Sequence, residues 1–265
     1  MATNPYIPDD SYVTPADQRR DLLDRLCFGG SARFYDLFGR VIVRSRNEAL
    51  AGVYDTAAWA RASRDIMHAM ERCGGRFEID GLEHVRRLTE PVVYISNHMS
   101  TVETMVFPCL IAPYQDVTYV VKESLVTMPI FGPVMQARDP VTVGRTNARE
   151  DMQAVLGGGS ERLAAGRSVI LFPQSTRQVV FDPEKFNSLG VKLARRADVQ
   201  VVPIAIKTDF WAPGRIIKDF GPILREKTMH IRFGAPMTVE GNGRDQHRAI
   251  VDFITENLAR WQDDR

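Results

Sequence analysis

Residues 95–104, ISNHMSTVET, contain a histidine and a glutamate whose side chains could share a proton. A neutral imidazole can take a proton from a hydroxyl only if its second ring nitrogen keeps its own. A carboxylate that accepts this second N–H fixes the tautomer and stabilises the imidazolium as it forms. His98 and Glu103 are five positions apart, whereas neighbours on one helix face are three or four apart. If the two side chains meet, His98 must lie in the loop before a helix and Glu103 in the first turns of that helix.

Glu103 also has a purely structural interpretation. Ser100 and Glu103 match the S-x-x-E capping box, in which the glutamate accepts a hydrogen bond from a backbone N–H at the start of the helix. A helix N-terminus favours an ionised carboxylate, which suits both interpretations. On this motif alone, the capping role and the role as partner of His98 compete for the same side chain.

Two other strand-like runs are followed by an arginine. The run SVILF at 168–172 leads into PQSTRQ, which places Arg177 in a polar loop, and PVTV at 140–143 is followed two residues later by Arg145. A guanidinium group can hold a phosphate or a carboxylate with two parallel hydrogen bonds. Because α/β sheets bind ligands at the carboxyl ends of their strands, we expect His98, Arg145 and Arg177 to line one anion-binding crevice. In the alternative interpretation, the arginines cap helices or form surface ion pairs.

The elements that position these residues alternate between strands and helices. Strand-like runs lie at 76–80, 91–96, 117–121, 140–143, 168–172, 199–206 and 230–233. Helical patterns separate several of them, at 101–112, 147–165, 185–197 and 243–260. This alternation predicts an α/β fold with a mixed, largely parallel sheet flanked by helices. A triple glycine at 157–159 lacks the Lys-Ser/Thr of a P-loop and is interpreted as a helix break.

The first 75 residues are predicted to form an N-terminal helical extension, and residues 76–265 the α/β domain. Residues 1–15 are polar and contain prolines, which is typical of a loosely packed lead-in. The segment 33–46 combines an apolar stripe with four arginines against the single acid Asp36, and a second helical pattern follows at 47–72. The 33–46 face could lie on an anionic bilayer, or its stripe could pack on the α/β domain. Both interpretations stay open.

Composition excludes several classes of protein. The chain has 265 residues, 44% of them hydrophobic, and a net charge of +1, so no global field favours nucleic acid. Its three cysteines are scattered, which argues against a zinc knuckle or a disulfide framework and suits a reducing compartment. We find no signal-peptide pattern, no apolar run near the ~20 residues of a membrane span, and no G-x-S-x-G or H-E-x-x-H motif.

Taken in chain order, four blocks resemble the motifs of the lysophosphatidic acid (1-acylglycerol-3-phosphate) acyltransferase family, part of the glycerolipid acyltransferase superfamily. Residues 97–103, NHMSTVE, fit the family's N-H-x-S-x-x-D except at the last position. The run 141–145 matches its strand ending in Arg, and 172–178, FPQSTRQ, its F-P-E-G-T-R-S block. The run 202–204, VPI, matches its V-P-V-type strand, and the likeness spans roughly residues 76–240.

The resemblance implies direct transfer of a fatty acyl group from acyl-CoA or acyl-carrier protein to the hydroxyl of a lyso-glycerophospholipid. With lysophosphatidic acid as acceptor, the product is phosphatidic acid. His98 would act as general base and Glu103 would orient it, with no bound cofactor, metal or covalent enzyme intermediate. The acceptor's phosphate would be held by Arg145, Gln174, Ser175, Thr176 and Arg177. The expected enzyme is cytoplasmic, associates peripherally with the membrane and does not bind nucleic acid.

Three departures from the family motifs bear on the acceptor. Glu103 replaces an Asp, Gln174 replaces a Glu of the acceptor site, and Ser175 replaces a Gly. These changes leave a different lyso-lipid or another hydroxylated acceptor open. They also leave open a catalytically idle lipid-binding relative, or a hydrolase that uses water as acceptor. The retained His98, Arg145 and Arg177 argue against an idle site.

Overall fold

The computed structural model describes residues 4–26, 30–174, 176–214 and 220–263. Its strands are β1 (Tyr12–Val13), β2 (Arg76–Asp80), β3 (Val93–Ser96), β4 (Val117–Lys122), β5 (Val141–Val143), β6 (Ser168–Leu171), β7 (Val201–Lys207) and β8 (Thr228–Phe233). Its helices are α1 (Leu22–Leu26), α2 (Ala32–Leu50), α3 (Thr56–Arg72), α4 (Leu82–Arg86), α5 (Val102–Ile111), α6 (Glu123–Val126), α7 (Gly132–Ala137), α8 (Ala148–Ala164), α9 (Leu189–Ala197) and α10 (Arg244–Asp263).

The strands form one sheet in the order β1-β2-β8-β7-β3-β6-β4-β5. Strands β7, β3, β6, β4 and β5 are mutually parallel, whereas β8 is antiparallel to β7. The prediction of a mixed, largely parallel sheet flanked by helices is therefore confirmed. The carboxyl ends of the five parallel strands lie along one edge of the sheet, which we call the carboxyl edge.

Central strands of this sheet are apolar because both of their faces are covered. Every residue of β3 and β6 is buried, as is every residue of β7 except the last. Among the helices, α3 packs on α2 and α5, and α8 packs on α9, while α10 packs on β7. This packing holds the carboxyl edge at the margin of one continuous hydrophobic core.

Helix α5 follows β3 and is anchored on both sides of its internal proline. Pro108 has no N–H to donate, and the carbonyl of Thr104 accepts a hydrogen bond from the Tyr119 hydroxyl at 3.1 Å instead. Ser63 of α3 donates to the Met105 carbonyl at 2.6 Å and accepts from the Cys109 N–H at 2.9 Å. The first turn of α5, which carries Glu103, is thus fixed to its neighbours.

The N-terminal segment differs from the predicted loose lead-in. Ile7 is 1% exposed, the Asn4 side chain donates to the Cys109 carbonyl at 2.9 Å, and β1 pairs with β2 at the end of the sheet. The prediction of a loosely packed segment is therefore wrong for residues 4–15. Its polar side chains satisfy backbone groups in the core, a use that composition does not show.

The apolar stripe of α2 packs on the α/β domain. Phe34 and Phe38 are buried, and their rings meet Trp211 edge-on, with centroids 4.8 and 5.1 Å apart. The Trp211 indole N–H donates to the Tyr35 hydroxyl at 3.0 Å. Of the two interpretations of this stripe, packing on the domain is the one found. The division of the chain at residue 75 stays a prediction, and the shared core leads us to expect that the two parts fold together.

The triple glycine does not break a helix, because α8 continues through residues 157–159. At Gly159, a Cβ atom would lie 2.7 Å from the Leu193 side chain of α9. The absence of a side chain lets the two helices approach closely, so the glycine serves packing and the predicted helix break is wrong.

Candidate active site

The chain leaving β3 is fixed to β7 by Asn97. The Asn97 side chain donates to the Ile206 carbonyl and accepts from the Ile206 N–H, both at 2.9 Å. This two-way bond imitates backbone pairing after β3 has ended and holds His98 at the carboxyl edge. The first residue of the 97–103 block is thus part of the scaffold.

His98 and Glu103 meet. Their Nδ1 and Oε1 atoms are 2.8 Å apart, with His98 in the loop before α5 and Glu103 in its first turn. The His98 side chain is 14% exposed and that of Glu103 is fully buried. Because the carboxylate can only accept, Nδ1 carries the proton and Nε2 presents a lone pair. The imidazole therefore has the tautomer that a general base needs.

Glu103 serves as helix cap at the same time. Its Oε1 accepts from the backbone N–H groups of Met99 at 2.7 Å and Ser100 at 2.8 Å. Its Oε2 accepts from the hydroxyls of Ser100 at 2.9 Å and Thr208 at 2.7 Å. The two interpretations of Glu103 are both realised, because one oxygen can accept from the helix start and from the imidazole together.

These donors keep the Glu103 carboxylate ionised. Burial alone raises the pKa of a carboxyl group. The hydrogen bond from His98, the attraction between the carboxylate and the imidazole when that ring is protonated, and the Thr208 hydroxyl outweigh burial, so the pKa of Glu103 lies below its usual value. The net direction is the one expected for a buried carboxylate with five donors. Glu103 is thus a negative charge fixed beside His98.

Phe172 and Gln174 shape the other side of His98. The Phe172 ring stacks on the imidazole with centroids 4.3 Å apart and an angle of 21° between the planes. Gln174, predicted to bind the acceptor, is 2% exposed, and its Oε1 accepts from the His98 N–H at 2.7 Å. The His98 carbonyl in turn accepts from the Gln178 N–H at 2.9 Å. The loop after β6 therefore holds the backbone of His98 through both of its polar groups.

Arg177 lies on the same loop, beside the start of α5. Its Nη1 donates to the Thr101 hydroxyl at 2.6 Å, so the two sequence blocks that contain His98 and Arg177 are in direct contact. Thr176 is exposed next to it. The predicted phosphate ligand Ser175 lies outside the described residues.

Arg145 lies farther along the carboxyl edge. It follows β5, which is separated from β6 by β4, and two strand spacings amount to about 10 Å. Its φ of 60° is in the left-handed region, and its N–H donates to the Asp151 side chain of α8 at 3.0 Å. The structure therefore brings His98 and Arg177 together, and places Arg145 on the same edge two strands away from Arg177.

Thr208 is a site residue that the sequence blocks did not single out. It follows β7, and its only sequence signal is a polar residue at the end of an apolar strand. Its place beside Glu103 depends on β7 being the neighbour of β3, which local sequence does not specify. Phe172 likewise reads as a strand residue until the tertiary structure stacks it on His98.

Two other kinds of feature are absent from the described part of the chain. No three His, Cys, Asp or Glu side chains there come together as ligands for a metal ion. None of the helices formed by those residues is both long enough and apolar enough to cross a membrane.

Comparisons with known proteins identify the family. The family model described as Acyltransferase matches residues 76–207, which span β2 to β7 and contain His98, Glu103 and Arg177. The 1-acyl-sn-glycerol-3-phosphate acyltransferase of Pseudomonas aeruginosa is 30% identical over 189 residues, which cover 71% of this chain and 68% of that protein. The chain belongs to the 1-acyl-sn-glycerol-3-phosphate acyltransferase family. The predicted family and the prediction of an acyltransferase enzyme are confirmed.

Further relatives agree with this family. A Chlamydomonas reinhardtii protein with the same description is 30% identical over 166 residues, 63% of this chain and 47% of that protein. The crystal structure of the 1-acyl-sn-glycerophosphate acyltransferase PlsC from Thermotoga maritima shares the fold of this acyltransferase, with a TM-score of 0.63 and 18% identity. That similarity covers 92% of this chain and 96% of the Thermotoga chain.

Proposed function

We propose that this acyltransferase moves a fatty acyl group from acyl-CoA or acyl-carrier protein to the free hydroxyl of a lyso-glycerophospholipid. The names of the family relatives specify 1-acyl-sn-glycerol-3-phosphate, which is lysophosphatidic acid, as the acceptor. With this acceptor, the product is phosphatidic acid. The observation that carries the proposal is the 2.8 Å contact between His98 Nδ1 and the buried Glu103 carboxylate. It leaves Nε2 as a base at the edge of the sheet where ligands bind.

In the proposed reaction, the acceptor hydroxyl gives its proton to Nε2 of His98 while its oxygen attacks the thioester carbonyl carbon. The negative charge of Glu103 stabilises the imidazolium that forms. The carbon–sulfur bond then breaks, and the leaving sulfur takes the proton from the imidazolium. This step returns His98 to its neutral form, so no group of the enzyme is consumed.

The acceptor's phosphate is proposed to bind the basic side of the carboxyl edge. Arg177 is the nearer arginine, because its loop touches both His98 and the start of α5. Arg145, two strands away from Arg177, could meet the same phosphate or the phosphates of the thioester carrier. Gln174 supports this site by holding the His98 backbone, and Ser175 and Thr176 stay proposed ligands.

The test is release of free thiol from acyl-CoA by the purified protein, with and without a panel of lyso-lipids. We expect His98→Ala to lower acceptor-dependent release by about 10²- to 10⁴-fold, because general-base assistance is lost. Glu103→Gln should lower it by about 10²-fold or more, because the fixed charge is lost. The matched control is His84→Ala, in α4 beyond the opposite edge of the sheet, which should leave the rate unchanged.

Other outcomes of this assay decide between the remaining functions. Full activity of His98→Ala would exclude the proposed base. Thiol release that needs no acceptor would indicate a hydrolase. If the folded protein releases no thiol with any acceptor and either thioester carrier, it is a relative that only binds lipid.

We also propose that the enzyme is cytoplasmic and works on a membrane surface. The stripe of α2 cannot anchor it, because Phe34 and Phe38 are in the core. Exposed apolar side chains do lie beside the site: Val179 and Val180 follow the Arg177 loop and are 56% and 79% exposed. An apolar loop next to an arginine suits a surface of anionic lipid.

A further inference from the structure

Thr208 donates a hydrogen bond to Glu103. It is fully buried after the last residue of β7, and its hydroxyl is 2.7 Å from Glu103 Oε2. Its backbone N–H is directed at the Met99 sulfur, 3.3 Å away. The hydroxyl proton of Thr208 is therefore directed at the carboxylate that faces His98.

The second hydroxyl at this oxygen belongs to Ser100. Ser100 Oγ lies 2.9 Å from Glu103 Oε2 and 3.1 Å from Thr208 Oγ1, and it accepts from the Val102 N–H at 3.0 Å. A hydroxyl has one proton, so Ser100 can donate to Glu103 or to Thr208. In both arrangements Thr208 donates to Glu103, which makes Thr208 the fixed donor of the pair.

The two carboxylate oxygens of Glu103 thus have different hydrogen-bond partners. Oε1 accepts from His98 and from two backbone N–H groups, whereas Oε2 accepts from the hydroxyls of Ser100 and Thr208. The family motif has Asp at this position, which is shorter by one methylene. On the same backbone, an Asp carboxylate would lie one methylene closer to its own Cα atom, so its oxygens would not occupy the positions of both Oε1 and Oε2.

We propose that Thr208 is a positioning residue that fits the site to a glutamate. Its hydroxyl holds Oε2 so that Oε1 points at His98. The hydrogen bond that Thr208 donates also makes the Glu103 carboxylate less basic, so the His98–Glu103 pair binds a proton less tightly. This inference rests on the proposed acyl transfer for its role in catalysis, but the coupling itself can be measured without activity.

Few other charged or titratable groups face the pair. Arg177 of the loop after β6 is bonded to Thr101, and Tyr119 of β4 lies close enough for the negative charge of Glu103 to add to burial in raising the pKa of that phenol. Because the pKa of Tyr119 is raised well above its usual value, Tyr119 stays neutral across the pH range of the assay. A change of the pH profile at neutral pH therefore reports on His98 and Glu103.

The first test compares Thr208→Val, which keeps the branched shape and removes the hydroxyl, with Thr208→Ser, which keeps the hydroxyl. Losing a donor makes the carboxylate a stronger base, so the pair holds its proton more tightly. We expect the acid limb of kcat/KM to move up by about half to one pH unit in Thr208→Val, with kcat down about tenfold. Thr208→Ser should restore both, and KM for the thioester should change little.

An activity-independent measurement separates this inference from the proposed function. The ring-proton NMR signals of His98, assigned with His98→Ala, report the titration of the pair. An upward shift in Thr208→Val but not in Thr208→Ser supports the inference even if no acyl transfer is found. An unchanged titration in folded Thr208→Val overturns it, even in a fully active acyltransferase.

A double-mutant cycle tests the fit to glutamate. If Oε2 is held by Thr208, Glu103→Asp loses that bond in the wild-type background and has no such bond to lose in Thr208→Val. We therefore expect Glu103→Asp to reduce kcat at least several-fold less in Thr208→Val than in the wild type. Additive effects of the two substitutions would contradict the proposed contact.

Discussion

At the scale of single residues, the site depends on the geometry of one carboxylate. A spacing of five residues cannot be a helix-face contact, yet His98 and Glu103 meet because the chain turns between them. Met99 and Ser100 direct their N–H groups at the same oxygen, so the turn that starts α5 also aims Glu103 at His98. The same arrangement of atoms therefore starts the helix and orients the His98 imidazole.

Stability should report the ionisation of Glu103. At neutral pH we expect Glu103→Gln to lower the free energy of unfolding by about 2–4 kcal/mol. The glutamine has no charge, and its NH₂ group would face hydrogen-bond donors that the carboxylate oxygen accepts from. The pKa of Glu103 is lower in the folded protein than its value of 4.5 in the unfolded chain. The charge of Glu103 therefore stabilises the fold fully above pH 4.5, and this stabilisation is lost as the pH falls through the pKa of the folded state. The difference between wild type and variant should therefore narrow below pH 4.5.

Urea unfolding followed by circular dichroism between neutral and acidic pH measures this difference. Glu240→Gln, at an exposed position, is the matched control and should track the wild type at every pH. If the difference in free energy of unfolding between wild type and Glu103→Gln is the same at every pH, the charge of Glu103 does not contribute to stability.

At the scale of elements, close helix packing depends on small residues at particular turns. Gly159 faces the buried Leu193 of α9, whereas a Cβ at Gly157 of the same helix would have no neighbour within 4 Å. The two glycines are two residues apart in α8, so their helix propensities are alike and their surroundings differ. They form a matched pair for separating packing from propensity.

We expect Gly159→Ala to destabilise the protein by about 1–3 kcal/mol, since the methyl group would overlap Leu193, which is fully buried and cannot move aside freely. Gly157→Ala should stabilise it by up to about 1 kcal/mol, because alanine favours a helix over glycine. Thermal unfolding of both variants gives the comparison. Equal effects of the two substitutions would mean that the contact between α8 and α9 is not close.

At the scale of the whole molecule, His98, the basic side chain of Arg177 and exposed apolar residues lie together along the carboxyl edge. Val179 and Val180 adjoin this edge, whereas Val13 is equally apolar, 65% exposed, and lies on β1 at the far end of the sheet. If the enzyme meets lipid with the side that carries its site, substitutions at these two places should have different effects.

Flotation with vesicles that contain phosphatidylglycerol tests this orientation. Val180→Asp should weaken binding about tenfold, because a valine side chain entering an apolar phase contributes about 1.5 kcal/mol. Val13→Asp should bind like the wild type. Equal losses in the two variants, or none in either, would argue against a membrane contact at this edge.

The local sequence was sufficient for much of this architecture. Continuous apolar runs such as 92–95 and 201–206 became buried central strands, because only a strand covered on both faces tolerates such a run. The polar residues that follow those runs lie at the carboxyl edge because the two strands are parallel and end on the same side. Sequence patterns could not show that Asn4 and Ile7 are buried, because polar composition does not reveal which side chains satisfy backbone groups in the core.

The sequence by itself determined the family blocks, the strands that carry them and the base candidate His98. Only the tertiary structure decided that Glu103 both caps α5 and faces His98, and that Thr208, 105 residues away from Glu103, completes its hydrogen bonds. The physical reason is that residue type and spacing act within one element, whereas strand order follows from long-range packing. That order places β7 beside β3, and with it the hydroxyl beside the carboxylate.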